Sequence, residues 1–259
     1  MSDGPVAPVA FDDPWRALRR RTAARIALGR AGAALPTAAL LAFELDHARA
    51  RDAVHRALDL DALDHDLRGC TTSTVRVASA AADRATYLLR PDLGRRLSDA
   101  SRERLTGVDA PGCDMLFVVA DGLSALGVQR HAAALLSASV PLLEGLTIGP
   151  VVIAEQARVA LGDEVGALLK ARAVVVVIGE RPGLTSPDSV GLYLTFAPRV
   201  GRHDAERNCV SNVRPGGLPP QAAAARLAWL IRASLRLSLS GVALKDDSAS
   251  IETNAPPRL

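Results

Sequence analysis

Lysine is almost missing from this 259-residue chain: Lys170 and Lys245 are the only two, so arginine supplies the other 29 of the 31 basic side chains. With alanine abundant as well, that bias is what a GC-rich coding sequence imposes, and the net charge of +3 is weak ground for a nucleic-acid partner. Aromatic residues are only 3% of the chain, which leaves few platforms for stacking bases, and no helix-turn-helix or ribonucleoprotein pattern occurs. Cysteine is scarce too. Cys70, Cys113 and Cys209 are odd in number and far apart, which suits neither a disulfide framework nor a zinc site. No apolar run approaches the roughly 18 residues that cross a bilayer, and Met1 opens onto no signal-peptide pattern. The chain is therefore expected to be soluble, cytosolic and free of membrane or nucleic-acid partners.

Several catalytic signatures are absent as well. No Gly-x-Gly-x-x-Gly follows a predicted strand and no Walker-type phosphate loop exists, which disfavours nicotinamide and nucleoside triphosphate chemistry. Gly122-Leu123-Ser124-Ala125-Leu126-Gly127 lacks the spacing of a hydrolase elbow. His47 and His55 lie eight positions apart, two helical turns, which is too far for one metal without a carboxylate between them.

What is present is organised around Ala173 to Val177, a β-branched run that closes in Ile178-Gly179-Glu180-Arg181-Pro182-Gly183. A run so short, bounded by Gly and Pro, reads as a strand buried on both faces. Ligands of open parallel sheets sit beyond the carboxyl ends of the strands, and Glu180 leaves this strand at that edge. Gly179 reads as a position where backbone approaches a ligand, and Arg181-Pro182-Gly183 as a turn that stiffens the loop.

Residues 1–12 read as a disordered terminus, and Asp13-Pro14 as the start of a helix to about Leu28. A second helix runs from about Thr37 to Leu58, with Leu40, Leu41, Leu45, Ala48 and Val54 roughly on one face and Asp52 paired with Arg56. Cys70 to Ala82 reads as extended or loop structure. Asp83 to Leu97 is too basic and too punctuated for plain core, and is expected to lie against a partner. Ala110-Pro111-Gly112 marks a boundary between a helical N-terminal domain, 13–110, and an α/β domain, 111–259. Strands at Met115–Ala120, Val151–Ala154 and Val174–Ile178 then alternate with helices at Leu123–Leu143 and Arg158–Lys170, two βαβ units of a parallel sheet. A further strand around Tyr193 and a long helix from Pro219-Pro220 to about Leu239 complete a Rossmann-like α/β fold with a mostly parallel sheet and flanking helices.

The strand ends would gather Asp121, Glu155, Glu180 and the hexapeptide Arg207-Asn208-Cys209-Val210-Ser211-Asn212, which is expected to follow the last strand. On residues alone, a self-contained α/β enzyme or nucleotide binder using Asp121, Glu180 and Cys209 stays open.

The segments TAARIALGRAGAALPT, FELDHARARDAVH, DRATYLLRPDLGRRLS, VVADGLSALGVQRHA, IGPVVIAEQARVALGDE, VVVVIGERPGLTSPDS and DAERNCVSNVRPGGLPP resemble the small (light) subunit family of adenosylcobalamin-dependent ethanolamine ammonia-lyase, from about residue 20 to 247. The resemblance implies a subunit that is inactive alone and carries no catalytic or metal-ligating residue. It implies a large β/α-barrel subunit that holds ethanolamine, and radical conversion to acetaldehyde and ammonia. Adenosylcobalamin would lie at the interface of this hetero-oligomer, in the cytosol or inside a bacterial microcompartment. Carried over by motif, the cobalamin contacts are Val159 in Gln156-Ala157-Arg158-Val159, Glu180 in Gly179-Glu180-Arg181 and Cys209 in Asn208-Cys209-Val210. By residue type, Val159 would pack on the corrin, Glu180 would accept hydrogen bonds from its amides and Cys209 would make a soft contact, none of them ligating cobalt.

Overall fold

A computed structural model describes residues 15–248 apart from 72 and 109, so the Asp13-Pro14 start signal and both chain ends lie outside the described residues. The chain divides into two units, Met1–Ala48 and Arg49–Leu259.

In the first unit the helix expected to reach Leu28 is a single turn, α1 (Arg16–Arg19). Its Leu18 and the preceding Trp15 are exposed, so no buried face sustains a longer helix. Thr22 Oγ1 instead accepts from the Ala24 amide at 3.1 Å, and Ala27 and Gly29 turn the chain with φ of +47° and +81°. The next helix, α2 (Thr37–His55), begins in this unit. Leu40, Leu41 and Leu45, expected on one face, are all exposed. Arg25 pairs with Asp46 at 2.5 Å. At the far end of α2, Asp52 lies 3.9 Å from Arg51, and the expected side-chain pair with Arg56 does not form.

The second unit is built on the valine run. Its elements after α2 are α3 (Leu60–Leu67), β1 (Thr74–Ala78), α4 (Arg84–Leu89), α5 (Asp99–Thr106), β2 (Cys113–Ala120), α6 (Ala125–Ser139), β3 (Val151–Glu155), α7 (Leu161–Leu168), β4 (Ala171–Gly179), β5 (Val190–Phe196), β6 (Arg207–Val213) and α8 (Pro220–Leu237). One six-stranded sheet has the order β1-β3-β2-β4-β5-β6. Pairings among β1, β3, β2 and β4 are parallel, while β5 and β6 add an antiparallel meander. The fold is therefore α/β with a mostly parallel, mixed sheet, and its edge strand β1 comes from the stretch read as extended or loop structure.

Burial on both faces explains the unbroken hydrophobicity of β2 and β4. Met115, Phe117, Val119, Val175 and Val177 face one core with Leu135 and Leu136 of α6 and Leu227 and Ile231 of α8. Leu116, Val118, Val174 and Val176 face another with Leu161 and Val165 of α7 and Leu105 of α5. The alternation follows from the two-residue period of a strand.

The hexapeptide expected after the last strand is itself β6, so Cys209 lies within a strand. Its polar residues hid it from a hydropathy reading, because an edge strand needs only Arg207, Val210 and Val213 buried.

Candidate functional site

β2 and β4 end side by side, and the backbone crosses there at van der Waals limits. Leu123 N donates to Gly179 O at 2.9 Å. A Cβ on Gly122, whose φ is +55°, would stand 2.3 Å from that same oxygen; one on Gly179 would stand 2.0 Å from Ser124 O. Gly179 thus makes room for the β2 loop on the side a Cβ would occupy.

Asp121 organises the neighbouring strand end. Its carboxylate accepts from the amides of Gln156 at 2.9 Å and Ala157 at 3.1 Å, fixing the loop that leaves β3. Gln156 holds a φ of +51°, a conformation that these bonds help sustain. Arg84 Nη1 lies 3.4 Å from Asp121 Oδ2 and donates to Gly122 O at 2.8 Å. Burial pushes the Asp121 carboxyl up to about 6, against the pull of those amides and of Arg84. The residue is consumed in structure.

Over the same edge lies α4, the basic segment expected to meet a partner; its Tyr87 is wholly buried and donates to Ala157 O at 3.1 Å. The Tyr87 ring takes the Arg84 guanidinium at 4.8 Å and that of Arg158 at 4.3 Å. Burial holds the Tyr87 hydroxyl up at about 12, so it stays protonated.

Glu180 follows β4, and its own amide donates to Ser189 O at 3.0 Å. Its carboxylate accepts from the Asn212 amide, 3.2 Å to Oε1 and 3.1 Å to Oε2. The geometry comes from an irregularity in pairing: Val190 faces Val213 and Leu192 faces Val210, so two residues of β6 oppose Gly191 alone. Such a bulge re-aims the backbone, and Asn212, at a φ of +58°, turns its N–H to Glu180. A Cβ on Gly191 would lie 3.1 Å from Glu180 Oε1 and 3.0 Å from Tyr193 Cε2, so the glycine leaves space for both side chains.

Tyr193 stands opposite Cys209 in the β5–β6 register. Cys209 is exposed. Nonetheless, loss of water around its sulfur raises the thiol pKa, only partly offset by Tyr193. The Tyr193 hydroxyl is raised also, chiefly by burial.

These elements enclose a cleft of about 430 Å³ lined by Tyr87, Leu123, Arg158, Val159, Glu180 and Tyr193, with Gly122, Ile178, Gly179 and Arg181 completing it. Two of the three predicted contacts, Val159 and Glu180, share its wall; Cys209 is outside the lining, as the register partner of Tyr193. A slightly larger hollow of about 470 Å³, with Arg49, Asp52, Arg56 and Arg130 in its wall, contains none of the predicted residues. Sequence reading singled out none of Tyr87, Arg158, Tyr193 and Asn212. The only available signal was Asp83, whose side chain caps α4 through the Thr86 amide at 2.7 Å.

Asp121, Glu180 and Cys209 do not form one reactive group, since Asp121 lies under the β3 loop outside the cleft wall and Cys209 carries a raised thiol. Among the described residues no three His, Cys, Asp or Glu side chains gather to hold a metal ion. No helix among them is long and apolar enough to cross a membrane.

A cleft at the carboxyl edge of an α/β sheet thus sets one carboxylate, Glu180, beside Leu123, Val159 and Ile178 and the guanidinium groups of Arg158 and Arg181. The family described as ethanolamine ammonia-lyase light chain (EutC) matches residues 12–245. The chain is 54% identical to the ethanolamine ammonia-lyase small subunit of Rhodopseudomonas palustris, over 93% of this chain and 95% of that one. It is 56% identical to the small subunit of Xanthomonas campestris, over 91% and 89%. For the small subunit of Bradyrhizobium diazoefficiens the identity is 53%, over 100% and 98%. The chain belongs to the ethanolamine ammonia-lyase small-subunit family and is a subunit of that lyase, an enzyme of ethanolamine catabolism. The names small subunit and light chain imply a larger partner.

Proposed function

We propose that this chain clamps adenosylcobalamin against the large, ethanolamine-holding subunit of a hetero-oligomeric lyase, in the cytosol or within a microcompartment. The observation that carries this reading is the shared cleft: Val159 and Glu180, identified by family motif, line one wall with Tyr193, the partner of Cys209.

The residues fit the group. Glu180 receives one backbone amide and pairs with no cation among the described residues, so lone pairs remain for the amide side chains that ring a corrin. Val159 and Ile178 offer apolar surface to its flat face. At about 430 Å³ the cleft can hold only part of so large a ligand, which accounts for the need of a second subunit to enclose the rest. Bound there, adenosylcobalamin would supply the radical chemistry by which ethanolamine on the large subunit yields acetaldehyde and ammonia. This chain's part is to bind, orient and exclude water: Asp121 and Tyr87 hold the loop of Val159, while the Asn212 bulge holds Glu180.

The test is ammonia release from ethanolamine with adenosylcobalamin, using the chain alone, the large subunit alone and the two co-expressed. Activity only in the co-expressed sample is expected. Release by the chain alone would overturn the reading.

A further inference from the structure

Among the described residues Arg158 is a cation without a counterion. It lines the cleft, half-buried, and no carboxylate pairs with it among the described residues. The adjacent Asp121 is already occupied by two backbone amides and Arg84. Of the Arg158 nitrogens, Nη2 makes a long contact of 3.4 Å to Tyr87 O, and Nε is buried with no hydrogen-bond partner. The side chain is nevertheless fixed in place. Its guanidinium lies 4.3 Å from the Tyr87 ring centroid, its backbone amide donates to Gly94 O at 2.8 Å, and a Cβ on Gly94 would come within 3.0 Å of its Cγ.

Burying Nε with no partner is unfavourable, and a half-buried guanidinium left in that state suits an anion. A guanidinium held rigidly on an aromatic face suits a phosphate ester in particular, because its planar fork matches two phosphate oxygens. The same cleft carries Glu180, a carboxylate with no cation partner among the described residues. The two charges make no ion pair with each other, and Arg181 stands exposed in the same lining, so the wall suits a ligand with amide donors at one place and negative charge at another.

Cobalamin answers that description: its corrin side chains are neutral amides, and its one anionic group is the phosphodiester of the nucleotide tail. We propose that Arg158 receives that phosphodiester, with Tyr87 as the platform that aims the guanidinium. This assignment rests on the cobalamin reading above and adds the orientation of the ligand, tail toward Arg158 and corrin amides toward Glu180.

The test uses the assembled two-subunit complex and follows corrinoid absorption during titration with cobalamin and with cobinamide, which lacks the nucleotide tail. Arg158→Gln should weaken cobalamin roughly ten- to hundredfold while changing cobinamide less than about twofold. Arg158→Lys should fall between, since it keeps the charge and loses the fork. Glu180→Gln should weaken both ligands alike. Equal loss of both ligands in Arg158→Gln would overturn the assignment, because the cation would then serve the corrin, a free anion or the fold. Unchanged cobalamin affinity in Arg158→Gln, with Glu180→Gln still weakened, would overturn it while leaving the cobalamin site in place. No change in any variant would remove the cobalamin site as well. If Arg158→Gln does not assemble, the comparison is made with Arg158→Lys, whose cobalamin-selective loss carries the same decision.

Discussion

Arg207 and Asp163 meet fork to fork out of reach of water, Nη1 to Oδ1 at 2.6 Å and Nη2 to Oδ2 at 2.7 Å, with Thr195 Oγ1 accepting from Nη1 at 2.9 Å. The pair ties β6 and β5, which carry Cys209 and Tyr193, to α7, which continues from the loop of Val159. It therefore sets the distance between two walls of the cleft. Both side chains are only 2% exposed, so removing one leaves the other buried and uncompensated. Arg207→Met should cost about 3 to 5 kcal/mol, whereas the double variant Arg207→Met with Asp163→Leu should recover much of that. Denaturant unfolding of the three proteins checks the contrast; equal stability of the single variant and the parent would contradict it.

Asp121 makes a pH-dependent contribution of predictable sign. Its folded-state pKa of about 6 lies above its ordinary value of 3.8, so the folded protein holds that proton more tightly than the unfolded chain. The contribution is fully present below about pH 4 and is lost as pH rises through about 6, to a total of about 3 kcal/mol. Asp121→Asn cannot titrate. The stability of the parent relative to Asp121→Asn should therefore fall between pH 4 and pH 7, as read from denaturant melts at each pH. A relative stability that rises over that range would show a carboxylate favoured by its surroundings.

Gly191→Ala places a methyl group against Glu180 Oε1 and the Tyr193 ring. The side chains must shift by a few tenths of an ångström, and Glu180 loses alignment with the Asn212 amide. Cofactor affinity should drop several-fold, while folding stability changes by less than about 1.5 kcal/mol. Calorimetric melting and corrinoid titration of the assembled complex separate the two effects.

The thiols of Cys70, Cys113 and Cys209 are all raised by burial or its local equivalent, so none is an activated nucleophile. Each should alkylate with iodoacetamide more slowly at pH 8 than free cysteine, and Cys209, as the exposed one, should react first. Mass spectrometry over a time course reads the order. Alkylation of Cys209 faster than free cysteine would point to a thiolate.

How far the sequence carried the fold depends on what each element buries. β2, β3 and β4 were legible because burial on both faces wrote continuous apolar runs into them. β6 was not, since an edge strand keeps Asn208, Cys209, Ser211 and Asn212 at least partly accessible and looks like a loop. β1, likewise an edge strand, lies in a stretch whose β-branched residues read as extended or loop. α1 failed in the opposite direction: its residues favour helix locally, yet no face of it is covered. In the site, Glu180 followed from its place after a buried strand, and Val159 and Cys209 from family motifs. Arg158 and Tyr87 could not be found that way, because their roles arise from one ring meeting two guanidinium groups distant in sequence, at positions 84 and 158. Asn212 acts through its backbone, and only the bulge in β6 brings that amide to Glu180.

The central claim is that Glu180 holds the cofactor through hydrogen bonds, and one titration addresses it directly. A hydrogen bond to a carboxylate partly shielded from water is worth about 1.5 to 3 kcal/mol, so Glu180→Gln should weaken adenosylcobalamin binding roughly ten- to hundredfold. Glutamine keeps the shape and one acceptor, so the complex should assemble and turnover at saturating cofactor should change little. Cys209→Ser, exchanging one weak contact for another, should be milder. Titrating the assembled complex with adenosylcobalamin, with the cobalamin spectrum and ammonia release followed together, should show a raised apparent Kd at near-parental maximal rate. An unchanged Kd for Glu180→Gln in an intact complex would contradict the account and leave Glu180 a solvated turn residue.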